Sequence, residues 1–595
     1  MMRFTGFWII VAILGSLLAA CAAVPQSKSA ATGAEATPTG KPGLQHQHYT
    51  ESAKASQPSS SGALAPLLDG LGANVFPVTT KDSRAQLFVN QGLNLAYAFN
   101  HAEAGRAFRE AARLDPDCAM CYWGQALVLG PNINAPMAAD AEPKAFQLAQ
   151  QALALSGHTT AREQAYIAAL EKRYTGDAKD RATADRAYAE AMRGVMRQFP
   201  DDLDAAVLWA EATMDLRPWD YWMRDGTPQP GTLEMVAVLE SEVMARQPDH
   251  PQALHLYIHA VESTDTPERA EAAADRLGNL MPGAGHMIHM PAHIYQRVGR
   301  YADAADANVR AIAADETYIN QCRAQGLYPM GYYPHNVHFL WFAASAQGRG
   351  DAAIEAARKA ASKVPNEALS AMPMLAGFRV IPYYALTRFG RWDAMLAEPA
   401  PPASDRFLTG TWHYARGLAL VATGQLDAAD AELRRVREIA ADPKLDYALF
   451  SPNTAGRIFA IAPLVLAGEI AAARGDHDAA IANLSQAVRM EDSLTYTEPD
   501  EWHYPTRLAL GAILLDAGRA SEAETVYWED LRHHPDNGWA LHGLHEALAT
   551  QGKNEQAQAI GDRFKVAWAK ADVVLEASRI MPGRPYAAAA VSMTE

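Results

Sequence analysis

Seven histidines crowd one stretch of this 595-residue chain: His255, His259, His286, His289, His293, His335 and His338. An even spread of the chain's 19 histidines would place fewer than three in that stretch. Their spacing carries more than their number. His255 and His259 stand four residues apart, as do His289 and His293. Residues at that spacing share one face of an α-helix. The second pair repeats the first 34 residues further on, and Glu262 continues the stripe beyond His259. Several imidazoles with one carboxylate suit zinc, copper or iron by ligand type. One pair can chelate a single ion. A pair on the next helix can complete the shell, because packed helix axes lie about 8–10 Å apart. His255, His259 and Glu262 alone have the composition of a two-His-one-carboxylate set with open positions. Met281, Met287 and Met290 lie near and would favour copper, but methionine fills cores as readily. No HExxH motif is present, and no neighbour supplies an obvious general base. A polar groove for a peptide and a set of mutually satisfied core histidines are the competing readings.

Other candidates carry less. Cys118-Ala-Met-Cys121 stands at a predicted helix start, where thiol pKa falls. A thioredoxin-like βαβ context is missing, and Tyr122 stands where haem attachment needs histidine, so a local disulfide or a pair of buried thiols is expected. Trp502-His503-Tyr504-Pro505 and His533, His534, His542 and His545 fall out of register with the central seven and are read as turn, packing and surface residues. No phosphate loop, dinucleotide fingerprint or GxSxG elbow occurs, which argues against a nucleotide cofactor. The net charge of −16, with no basic run, argues against nucleic-acid binding.

The elements that must position the histidines follow from an internal period. Residues 84–117 read RAQLFVNQGLNLAYAFNHAEAGRAFREAARLDPD, a 34-residue unit in which Gly92 and Ala104 let two helices approach, Phe108 and Ala111 fill between them, and Pro116 ends the unit. Pro248 and Pro282 are again 34 apart, and Ala292, Tyr295, Gly299, Tyr301, Ala304 and Ala311 mark the unit after them. Gly417 with Ala429, Gly468 with Ala480, and Gly511 with Ala523 repeat the glycine–alanine spacing of 12. Pro535 closes the Gly511 unit, and a last partial unit turns at Gly552. No β pattern of useful length appears.

These residues resemble the tetratricopeptide-repeat (TPR) superfamily over about residues 67–575, with the register weakest between 120 and 247. The resemblance implies an all-α superhelical solenoid whose units present positions 2, 5, 9 and 12 to a concave groove. In that register His286 and His335 take position 2, His255, His289 and His338 position 5, His259 and His293 position 9, and Glu262 position 12. The resemblance therefore implies a histidine-lined groove, with His255, His289 and His338 facing a protein or peptide partner. The insertion from Thr317 to Tyr333, with Tyr318, Tyr328, Tyr332 and Tyr333, reads either as an irregularity of the solenoid or as a loop that covers the histidines as a lid.

The N-terminus reads as an export signal: Arg3, then an apolar run from Phe7 to Leu18, then Leu18-Ala19-Ala20-Cys21. The last four residues resemble a bacterial lipobox, which implies that Cys21 is acylated and anchors the chain. Ala22, where aspartate would signal inner-membrane retention, implies the outer membrane, facing the periplasm. The expected organisation is a lipoprotein signal at 1–20, a flexible tether at 21–66 holding the solvated His46 and His48, irregular repeats at 67–247, central units at 248–365, further units at 366–580 and a tail at 581–595. No membrane-spanning helix is expected beyond the leader. The expected function is an envelope-anchored scaffold for a protein or peptide with a histidine metal site. The alternative is a metal-handling protein or a metal-dependent oxidoreductase or hydrolase.

Overall fold

The computed structural model describes residues 62–138, 140–322, 328–369, 372–449 and 453–581. The signal, Cys21, His46 and His48 lie outside them. Among the described residues the chain is all-α, a superhelical stack of antiparallel helix pairs with isolated β-bridges and no strand.

The first pair states the rule. Helix Ser83–Tyr97 is capped by Asp82, whose carboxylate accepts from the Arg84 N–H, and His101–Leu114 by Asn100, which accepts from the Glu103 N–H. Phe108, fully buried, fills the space between Gly92 and Gly124. A Cβ at Gly92 would stand 2.8 Å from its ring and one at Gly124 2.3 Å. The helices are close because both positions lack a side chain.

The turn inside a pair also recurs. Gly299, Gly424, Gly518 and Gly552 have φ of 82°, 76°, 73° and 73°. The amide after each donates to the carbonyl five residues back, as Arg300 does to Tyr295 at 2.8 Å and Lys553 to Leu548 at 3.0 Å. This is the glycine C-terminal cap that satisfies orphaned helix carbonyls. The first unit makes the same turn, Asn100 donating to Leu95 at 2.9 Å, but with Phe99 at φ 55° in place of glycine. A side chain there costs about 1–2 kcal/mol of backbone strain.

Between 120 and 247 the period is obscured by long connections, including 128–141 and 215–231, which lengthen the units without breaking the pairing. Cys118, the cap of helix Ala119–Leu127, forms a disulfide with Cys121, while Cys322 is a buried free thiol. The described residues of the 317–333 insertion are largely helical. Helix Tyr301–Cys322 runs through its first part, and a π-helical turn at Tyr328–Tyr332 leads into helix Tyr333–Ala346. Tyr318, Tyr328 and Tyr332 are buried as fixed walls. Among the described residues one stretch, Ala455–Ala473, reaches spanning length and apolarity with mean hydropathy 1.6, and 56% of its apolar window is buried inside the solenoid.

Candidate metal centre

Three helix pairs bring the histidines together. Helix Pro251–Val261 starts at a proline, which is preorganised for the first helical position, and carries His255 and His259, with Glu262 just past its end. Gly285–His289 and Pro291–Arg297 form one interrupted run carrying His286, His289 and His293. Pro291 removes the amide that would join them. Tyr333–Ala346 carries His335.

Asp315, fully buried on helix Tyr301–Cys322, ties these elements together. It accepts from the Tyr328 hydroxyl at 2.8 Å and from the Asn336 amide at 2.7 Å. A Cβ on Gly285 would lie 1.9 Å from its Oδ1, so only glycine lets the 285–289 helix approach. Burial pushes the Asp315 carboxyl up to about 7.

The donors form three compact sets: His255, His259 and His286; His289, His293 and His335; and His259, Glu262, His293 and Glu498. Within each set the ligand atoms lie within 4.8 Å of one another. The register implied His255 and His289 on an open groove. Both are 0% exposed, and His259, His286 and His293 are buried with them, because aromatic rings from other units cover that face. Phe99 packs on His255 at 4.5 Å and His286 at 5.3 Å between ring centroids. Trp219 meets His259 edge-on at 5.1 Å, Tyr332 meets His286 at 5.1 Å, and Phe339 meets His289 at 4.5 Å. Phe99 and Trp219 both carry positive φ, so strained backbone is concentrated on this face. His338 stands apart from the three sets, half-buried between Trp341 and Phe378.

The hydrogen bonds fix the tautomers. His255 Nδ1 donates to the Tyr97 carbonyl at 2.8 Å. His259 Nδ1 donates to Glu262 Oε1 at 2.7 Å, and His293 Nδ1 to Glu262 Oε2 at 2.6 Å and also to Glu498. His289 Nδ1 donates to Asn308 Oδ1 at 2.8 Å, whose own amide is turned toward the Ala304 carbonyl. Four imidazoles thus spend Nδ1–H on an acceptor and turn Nε2 inward. Ligand histidines in metalloproteins are held in the same way. The inward atoms crowd: His289 Nε2 and His293 Nε2 are 2.8 Å apart, and His255 Nε2 and His286 Nε2 3.1 Å. His259 Nε2 and His286 Nδ1 are buried without a hydrogen-bond partner.

Burial holds His255, His286, His289 and His335 well below the ordinary imidazole pKa, and His259 at about 3. Neutral imidazole is the ligating form. Burial also depresses His293, but Glu498 and Glu262 beside it outweigh that and hold it at about 10. Burial first, then the Glu262 charge, push Glu498 up to about 7.

Glu498 escaped sequence reasoning. It stands on the connection between helices His477–Glu491 and Thr506–Asp516, outside the 34-residue register, yet its side chain is 2% exposed against His293. The methionines Met281, Met287 and Met290 are fully buried. Of the C-terminal histidines, His503 stacks on Tyr384 at 4.1 Å, while His534, partly buried, pairs with the exposed Asp500 and the buried Asp530.

No protein-family model and no curated protein matches the sequence. Among solved structures, the human IFIT1 dimer with m7Gppp-AAAA is similar at TM-score 0.30 and 11% identity, covering 83% of this chain and 92% of that one. The APC/C hetero-tetramer Cut9–Hcn1 gives TM-score 0.27 at 11% identity, covering 82% and 94%. The P58(IPK) TPR domain gives 0.22 at 13%, covering 79% and 99%. Likeness at these scores bears on neither the site nor the function.

Proposed function

We propose that this chain is a transition-metal protein whose working part is the buried polyhistidine centre of its central units. The observation that carries the reading is the arrangement of acceptors. Tyr97, Glu262 and Asn308 each hold a ring by Nδ1 and turn its Nε2 toward the neighbouring rings of a buried cluster. The ring nitrogens that face each other at 2.8 and 3.1 Å hold either a proton or a metal ion between them. By ligand type the ion is zinc, copper or iron.

A peptide-binding role would use other residues of the solenoid, because burial removes His255 and His289 from any partner's reach. The expected setting is the outer membrane facing the periplasm, with acylated Cys21 as anchor and residues 21–66 as tether. Metal analysis of the full chain, purified without added metal, tests the reading. Wild type should retain a transition metal at stoichiometric level, and the His255→Ala/His289→Ala variant should lose it. A metal-free wild type that takes up neither zinc nor copper tightly would overturn it.

A further inference from the structure

The six clustered histidines do not converge on one point. Two separate pairs of ring nitrogens face each other, His255 with His286 and His289 with His293. Each pair has its own third donor, His259 for the first and His335 for the second. Each triad also has its own phenylalanine. Phe99 lies 4.5, 6.1 and 5.3 Å from His255, His259 and His286. Phe339 lies 4.5, 4.7 and 4.9 Å from His289, His293 and His335. The triads adjoin, with His259 and His293 rings 5.3 Å apart and His286 and His289 rings 6.0 Å apart.

A zinc ion is bound by about four ligands, fewer than the six imidazoles here. We infer, resting on the metal reading above, that the centre is dinuclear: one transition-metal ion on His255, His259 and His286, a second on His289, His293 and His335, with Glu262 bridging their outer shells. Glu262 spends Oε1 on His259 of the first triad and Oε2 on His293 of the second, so one carboxylate orients a ligand of each ion. Three histidine donors per ion, His293 once it gives up its Nε2 proton to the incoming metal, leave a fourth position open on each. Two ions with adjacent open positions form the arrangement that two-metal sites use to clamp one small ligand between them. Glu262 is a positioning residue here.

Zinc uptake, measured by metal analysis after dialysis of the full chain, decides the number of ions. Wild type should hold two equivalents, and His286→Ala and His335→Ala should each hold one. Uptake of one equivalent by wild type would overturn the dinuclear assignment and leave the metal reading standing; uptake of none would remove the metal reading itself. Copper(II)-loaded wild type gives a second readout that needs no variant. Adjacent ions couple magnetically, so the integrated paramagnetic signal should account for well under the copper found by metal analysis. A signal accounting for all of it would place the ions apart and overturn the proposal.

Discussion

Replacing Glu262 by leucine keeps the buried volume and takes away the acceptor that two ligand rings share. The two rings do not lose equally. Among the bonds described, His259 has Glu262 as its Nδ1 acceptor, whereas His293 Nδ1 also donates to Glu498. Loss of an outer-shell acceptor typically costs 10–100-fold in metal affinity, or about 1.4–2.7 kcal/mol. Glu262→Leu should therefore weaken the His255–His259–His286 site by about 10–100-fold. The His289–His293–His335 site should weaken by less than about tenfold. Titration of zinc against a competing chelator resolves two phases, and removing His335 or His286 isolates either phase for assignment. Thermal melting of the metal-free protein is the control, because an unsatisfied ring N–H costs about 1–3 kcal/mol of stability by itself. Equal losses at both sites, or none, would refute the roles given to Glu262 and Glu498.

Asp315 gives a pH prediction. Its carboxyl is raised to about 7 in the fold, against about 3.9 in an unfolded chain, so the folded state binds more protons between those values. Stability should fall as pH rises from about 4 to about 7, by up to about 4 kcal/mol, and Asp315→Asn should flatten that slope in urea unfolding. Gly285→Ala drives a methyl group into Asp315 and should cost about 1–3 kcal/mol by chemical denaturation, with weaker zinc retention as the 285–289 helix moves away. Phe108→Ala empties the space between Gly92 and Gly124 and should cost about 3–5 kcal/mol, read as a lower melting temperature with zinc stoichiometry unchanged.

The repeat was legible because its signals are local. Gly92, Phe108 and Pro116 act within one unit, and the glycine turns recur at Gly299, Gly424, Gly518 and Gly552. The pairs His255/His259 and His289/His293 were legible for the same reason, since a four-residue spacing fixes a shared helix face. Periodicity does not say what covers that face. The covering groups come from other units: Phe99 from a turn where the other units carry glycine, Trp219 from a long connection, and Glu498 from a connection in the C-terminal units. Such contacts are tertiary and have no period. His338 was misplaced by the register because helix Tyr333–Ala346 presents His335 to the cluster and turns His338 toward Trp341 and Phe378.

X-ray absorption at the metal edge of the zinc-loaded full chain tests the central claim most directly. The first shell should be nitrogen at about 2.0–2.1 Å with the outer scattering of about three imidazoles per ion. A first shell of oxygen alone, or a chain that retains no zinc to measure, would contradict it.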